Sequence, residues 1–253
     1  MIDLTYSSIS ECGPVRKINQ DSIISFSNDR SALFCVADGM GGFSEGEKAS
    51  KAITDQLTSW WKMNSEKLTE ENIGKAATSL ENVIRNVNTA LFEYGLENEV
   101  CGSTVSILCI CETKYIILAV GDSRIYLNHK RHFGQLTVDE IWSNMWIVDP
   151  KTGKKTPDPK YGMLLNAVGT EETIMAMRTG GVLEDHSMFL LCSDGLYKFC
   201  KEKYIKKATA YSKKAYLDER IAELKKQVVK NGEKDNMSVI LIKVDDVRKE
   251  DVH

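Results

Sequence analysis

Proline and histidine are scarce in these 253 residues, four of each, and no two of the seven cysteines stand at C-x-x-C spacing. An odd number of thiols without that spacing argues against a disulfide framework and against a zinc site. Cys35, Cys109, Cys111 and Cys192 lie inside apolar runs, where a reduced, buried thiol is expected. A basic stripe is also missing: 33 Lys and Arg stand against 36 Asp and Glu, for a net charge of −3. Nucleic acid is therefore not an expected partner. The longest apolar runs, such as 115–120 and 188–192, are too short to span a bilayer. The start, Met1-Ile2-Asp3-Leu4, carries neither the basic nor the apolar region of an export signal. These absences set the expectation of a cytoplasmic protein away from membranes, and a monomer is expected. No linker, repeat or low-complexity tract divides the chain, so residues 1–253 are read as one domain.

Short β-like runs occur at 2–9, 23–26, 32–37, 104–111, 115–120, 124–127, 188–192 and 237–244. The polar break at 111–114 predicts a hairpin between two of them. Strands that follow strands without a helix between favour antiparallel sheets. Helical spacing covers 45–62 and about 70–94, where Leu80, Val83, Ile84, Val87 and Leu91 share a face. A third helical region, 201–230, has the stripe Ile221, Leu224 and Val228. Residues 139–163 break the pattern. Three of the four prolines fall within 149–160, which reads as an exposed loop or flap-like insertion. Trp142 and Trp146, at i and i+4, predict a short helix ahead of it.

The informative feature is where certain aspartates fall. The run 33–37 leads into Asp38-Gly39, 116–120 into Gly121-Asp122, and 189–192 into Ser193-Asp194-Gly195; Asp235-Asn236 comes just before 237–241. Three predicted strands thus end on an aspartate and a fourth begins after one. In antiparallel sheets, strand ends lie beside the starts of their neighbours, so these carboxylates are expected at one edge of the fold. Asp-Gly is also ordinary turn chemistry, but four sites of one kind weaken that explanation. Clustered carboxylates raise one another's pKa unless a cation sits among them. Oxygen-only ligands select Mg²⁺ or Mn²⁺ over zinc, and no histidine lies in these stretches.

Seven segments then stand in order along the chain: GPVRKINQD at 13–21, ADGMGG at 37–42, GST at 102–104, AVGDSR at 119–124, NAVG at 166–169, CSDGL at 192–196 and DNMSV at 235–239. The ordered set resembles the metal-dependent protein phosphatases of the protein phosphatase 2C type, in their compact bacterial form. The resemblance implies an α+β fold, two packed antiparallel β-sheets flanked by helices on both sides in an α-β-β-α sandwich. It implies hydrolysis of phosphoserine and phosphothreonine in proteins by a hydroxide bridging two Mn²⁺ or Mg²⁺ ions, with a third, weaker ion. Phosphorylated proteins and a cognate Ser/Thr kinase are the partners it suggests. Asp38 resembles the carboxylate shared by two metals, with the Gly39 carbonyl as a further ligand. Asp194 and Asp235 resemble ligands of the second metal. Asp21 is similar to an acidic residue that holds metal-bound water. Asp122 resembles the ligand of the third ion, with Asp194 facing it. Arg16 resembles a phosphate clamp, a role suited to a planar fork of donors.

Three positions depart from that pattern. Gln20 stands where many members have Glu, Met40 where many eukaryotic members have His, and Glu140 where histidine is common. Two other enzyme classes have partial motifs. Gly42-Phe43-Ser44-Glu45-Gly46 fits the G-x-S-x-G of a serine hydrolase using Ser44, but the predicted strand ends too early for a sharp elbow and His186 is a poor candidate base. Gly41 and Gly46 have P-loop spacing, but Glu47 separates Gly46 from Lys48. The non-enzymatic alternative is a metal-dead pseudophosphatase that acts as a binding module.

Overall fold

The computed structural model describes residues 1–41, 45–143 and 145–247. In chain order its elements are β1 (Ile2–Glu11), β2 (Asp21–Ser27), β3 (Ser31–Gly41), α1 (Glu45–Asn64), α2 (Ile73–Glu97), β4 (Cys101–Ser103), β5 (Val105–Cys111), β6 (Lys114–Val120), β7 (Arg124–His129), β8 (His132–Gln135), β9 (Trp146–Val148), β10 (Lys155–Pro157), β11 (Met177–Val182), β12 (Met188–Cys192), α3 (Asp194–Tyr197), α4 (Glu202–Ala208), α5 (Leu217–Lys230) and β13 (Met237–Val247). One sheet runs β1-β13-β12-β7-β8 and the other β11-β6-β5-β3-β2, with β4 added to the end of β3. All of these pairings are antiparallel.

The alternation of side chains along the central strands explains the layers. On β3, Leu33, Cys35 and Ala37 point to α1 and α2, where they meet Ile53, Leu57, Leu80 and Ile84. The intervening Ala32, Phe34 and Val36 point the other way and meet Phe189, Leu191, Ile240 and Ile242 of the opposite sheet. The far faces of β12 and β13, through Met188, Leu190, Val239 and Leu241, pack on Ile205, Ile221, Leu224 and Val228 of α4 and α5. Three apolar layers thus separate four layers of secondary structure, the α-β-β-α sandwich that the resemblance implied. Both faces of the central strands are covered, so these strands are continuous apolar runs rather than alternating ones. All seven cysteines are free, six of them buried. Burial pushes the Cys35, Cys109 and Cys192 thiols up, away from nucleophilic thiolate chemistry.

The 111–114 break forms the expected hairpin, with Cys111 paired to Lys114 and Glu112 at φ 51° in the turn. Other expectations are corrected. Trp142 and Trp146 do not share a helix: Trp146 opens β9, which pairs with β10 in an exposed ribbon. The region 201–230 is two helices, α4 and α5, separated by the turn at 209–216. The run 104–111 forms β5, which starts one residue later, at Val105, with Thr104 between it and β4. Strand β11, which alternates between half-buried and exposed, has no apolar run to announce it. Among the described residues, no helix is long and apolar enough to cross a membrane.

Candidate metal centre

Asp21 and Asp38 sit directly opposite each other where β2 pairs with β3. Asp38 lies inside β3 rather than after it, because β3 continues to Gly41 by changing partner. Its first half pairs with β5, and Gly39–Gly41 pair with β4. The change of partner leaves Thr104 between β4 and β5, and Thr104 binds the Asp38 backbone on both sides. The Asp38 N–H donates to Thr104 Oγ1 at 3.1 Å, and the Thr104 N–H donates to the Asp38 carbonyl at 2.9 Å. Gly39 is where three segments meet: a Cβ there would lie 2.1 Å from the Gly46 carbonyl oxygen and 2.5 Å from that of Gln20. Only glycine lets the end of β3, the start of β2 and the start of α1 approach so closely.

The other sheet brings Asp194 and Asp235. Asp194 opens α3 directly after β12, and Asp235 precedes β13, the neighbour of β12. A Cβ on Gly195 would lie 1.9 Å from the Asn236 carbonyl oxygen, so the missing side chain is what lets these two segments touch. The Asn236 amide donates to the Cys12 and Ile18 carbonyls at 2.8 and 3.0 Å and accepts the Gln20 N–H at 2.9 Å. It therefore holds the 12–20 segment against Asp235. Gly13, at φ 74°, is packed onto the Asp235 carbonyl in the same place. Arg16, half exposed on that segment, donates to Asp235 Oδ2 at 2.9 Å. Asp122, behind β6, is 4% exposed and accepts the Tyr197 hydroxyl at 2.9 Å.

The charges of these groups conflict. Burial pushes the Asp38 carboxyl well above its ordinary range, and Asp21, Asp194, Asp122 and Asp235 push it further. Burial raises Asp21 to about 6, against the relief of the nearby Ser238 and Ser193 hydroxyls, of which Ser193 is within hydrogen-bond distance. Burial also raises Asp122, with relief from Tyr197. Asp21 Oδ2 accepts from Ser193 Oγ at 2.8 Å, while its buried Oδ1 has no hydrogen-bond partner. Among the described residues, no three acidic, histidine or cysteine side chains converge on one point as ready ligands. Two of the carboxylates are instead turned onto the chain's own cations, Asp235 onto Arg16 and Asp194 onto Lys198. Ligation requires Asp235 to rotate off Arg16, and Asp194 to present the oxygen that Lys198 does not engage. With that rotation the donor set fits a hard divalent cation: it is all oxygen, it carries mutually repelling charge, and it includes an orphaned buried carboxylate oxygen.

The structure thus gathers Asp21, Asp38, Gly39, Asp122, Asp194, Asp235 and Arg16 around the ends of both sheets. Residues whose part was not read from the sequence are Ser193, Asn236, Tyr197 and Lys198. All four lie within or beside the motifs, but their partners are distant in sequence. Glu140 is a structural acceptor: its Oε2 takes the Gly121 N–H at 2.8 Å, next to Asp122. Met40 stands 38% exposed. Gly42 and Ser44, and with them the hydrolase motif, lie outside the described residues. His186, its candidate base, precedes β12 at the end remote from Asp194, with its ring 4.4 Å from that of Tyr211.

The sequence profile of the protein phosphatase 2C family matches residues 15–238. The serine/threonine phosphatase stp of Listeria monocytogenes is 29% identical over 240 residues, which covers 92% of this chain and 93% of the relative. A crystal structure of a bacterial serine phosphatase is similar with a TM-score of 0.79 at 28% identity, over 99% of this chain and 100% of the other. The catalytic domain of the phosphatase PstP in complex with two manganese ions shares the fold, with a TM-score of 0.76 at 24% identity, over 96% of this chain and 99% of the other.

Proposed function

The chain belongs to the protein phosphatase 2C family, and on that premise we propose that it removes phosphate from serine and threonine side chains of proteins, using two Mn²⁺ or Mg²⁺ ions. Asp38, the Gly39 carbonyl, Asp194 and Asp235 are the groups that would hold the ions, with Asp21 behind them. The observation that carries this reading is the meeting of carboxylates from both sheets beside the half-exposed guanidinium of Arg16. Bound there, the cations would supply charge for the phosphoryl oxygens and a lowered pKa for water.

The chain's own residues do the rest. Arg16 points its fork toward the carboxylates and would exchange Asp235 for two oxygens of an entering phosphate, a bidentate contact that a lysine cannot copy. Ser193 holds Asp21 in place through its hydroxyl while also accepting the Ser238 N–H at 3.0 Å, so the carboxylate behind Asp38 is oriented by the β12–β13 pair. Met40 offers no proton for the departing alkoxide, and the Tyr197 hydroxyl is committed to Asp122. Residues 139–163 serve as a flap beside this cleft, in one domain. They are anchored by Asp139 on Arg124 and by Glu140 on Gly121. A Ser/Thr kinase is the partner enzyme this activity would oppose.

Hydrolysis of a phosphothreonine peptide with Mn²⁺ and in excess chelator tests the reading. Activity is expected only with metal, and Asp38→Ala is expected to lose both metal binding and nearly all turnover. Full activity in chelator would overturn it. Tight metal binding without turnover would favour a non-catalytic binding module.

A further inference from the structure

Asp122 and Asp194 are brought together from different sheets; burial disfavours ionisation of Asp122, and the like charge of Asp194 adds to it. The Asp122 side chain is only 6% exposed, so water cannot screen the pair well. One ammonium reaches both. Lys198 follows Asp194 by four residues at the end of α3, and its stem runs back along the helix. Its Nζ lies 2.5 Å from Asp194 Oδ2 and 4.0 Å from Asp122 Oδ2. A half-exposed i,i+4 ion pair by itself contributes little. The second, buried acceptor is what sets Lys198 apart.

Among the described residues, no other lysine or arginine forms an ion pair with Asp122 or Asp194. The Arg124 guanidinium is held elsewhere, by Asp139, with Nη2 to Oδ2 at 2.6 Å, and by the Tyr126 hydroxyl at 2.9 Å. The same guanidinium lies 3.5 Å above the ring of Tyr197, whose hydroxyl is bonded to Asp122. The tyrosine is therefore a wedge between Arg124 and Asp122.

We propose that the Lys198 ammonium is the resident cation of the Asp122–Asp194 pair, and that this pair is closed to a divalent ion while Lys198 is in place. The inference rests on the two-ion reading above. It replaces the third, weaker ion that the family resemblance suggested with a side chain of this protein. The physical reason is competition for the same oxygens. An ion between Asp122 and Asp194 would compete with the ammonium for the carboxylates it faces and would stand within a few ångströms of a like charge. Lys198 is thus a positioning residue: it leaves Asp194 one oxygen for the Asp38 side of the cleft.

The test is the number of Mn²⁺ ions taken up per chain, by titration calorimetry and by the electron spin resonance of free Mn²⁺, on the whole protein without substrate. Lys198→Met keeps the length of the stem and removes the charge, and Lys198→Gln is the second variant should the first fold poorly. Either variant is expected to take up one ion more per chain than the wild type, and the added Asp122→Ala change is expected to abolish that extra ion. Equal numbers of ions in the wild type and both variants would overturn the proposal. So would a wild-type ion that Asp122→Ala removes. A wild type that takes up no ion at all would overturn the metal-dependent reading itself, which separates the two failures.

Discussion

Asp21 carries a buried carboxylate oxygen without a hydrogen-bond partner, and its pKa is pushed up to about 6 by burial. In the unfolded chain an aspartate titrates near 3.9. Below that pH the group is protonated in both states and opposes folding in neither. As the pH rises toward about 6 the unfolded chain ionises first, and a penalty on the order of 2–3 kcal/mol builds up and then stays constant. In chelator, Asp21→Asn should therefore melt with the wild type at pH 4 and several degrees above it at pH 7. A melting difference that does not change with pH would refute the assignment. Arg16 gives the second prediction at this scale. Losing a bidentate charged contact amounts to roughly 1.5–3 kcal/mol, so Arg16→Ala should raise KM for a phosphopeptide by about ten-fold or more. A further fall in kcat is expected if the fork tightens in the transition state. Unchanged kinetics would make Arg16 an ordinary surface arginine.

Between elements, the decisive contacts are made where side chains are absent or small. Gly195 lies against the Asn236 backbone and Gly39 against Gly46, so the start of α3 abuts the approach to β13, and the start of α1 abuts β3. Gly195→Ala would place a methyl group on a carbonyl oxygen, forcing Asp194 and Asp235 apart. It should weaken Mn²⁺ binding more than it lowers the melting temperature in chelator. Equal metal affinity in a folded Gly195→Ala protein would show that this approach does not set the site. The Asn236 amide makes three bonds to the 12–20 segment. At about 1 kcal/mol each, Asn236→Ala should free that segment. Amide exchange at Gln20 would speed up and KM would rise as in Arg16→Ala, although Asn236 does not itself touch the phosphate. Retained protection at Gln20 would contradict this.

For the whole molecule, the site joins two sheets that are otherwise held by an apolar layer. A ligand that binds only the folded state adds about 2.7 kcal/mol at a hundred times its Kd. For a chain of this size that corresponds to about 5–10 °C in Tm. Saturating Mn²⁺ should produce such a rise over the chelated protein, and Asp38→Ala should abolish it. A Tm that ignores Mn²⁺ would mean that the carboxylates do not hold it.

The apolar runs of β3, β5, β6, β12 and β13 were legible in the amino-acid sequence because each is buried on both faces, and the stripes of α2 and α5 because each is buried on one. The ordered motifs likewise singled out the aspartates. Strands β8 and β11 and the ribbon of β9 and β10 were not legible, because they bury too little for a pattern to record. Sequence alone could say that the aspartates stand at strand ends. Only the tertiary structure decided that Asp38 stays inside β3 where the strand changes partner, that Asn236 ties residues 12–20 to Asp235, and that Lys198 lies between Asp122 and Asp194. The reason is physical: strand and helix patterns are local, set by periodicities of two and 3.6 residues. The neighbours of a charge are set by which distant segments pack together.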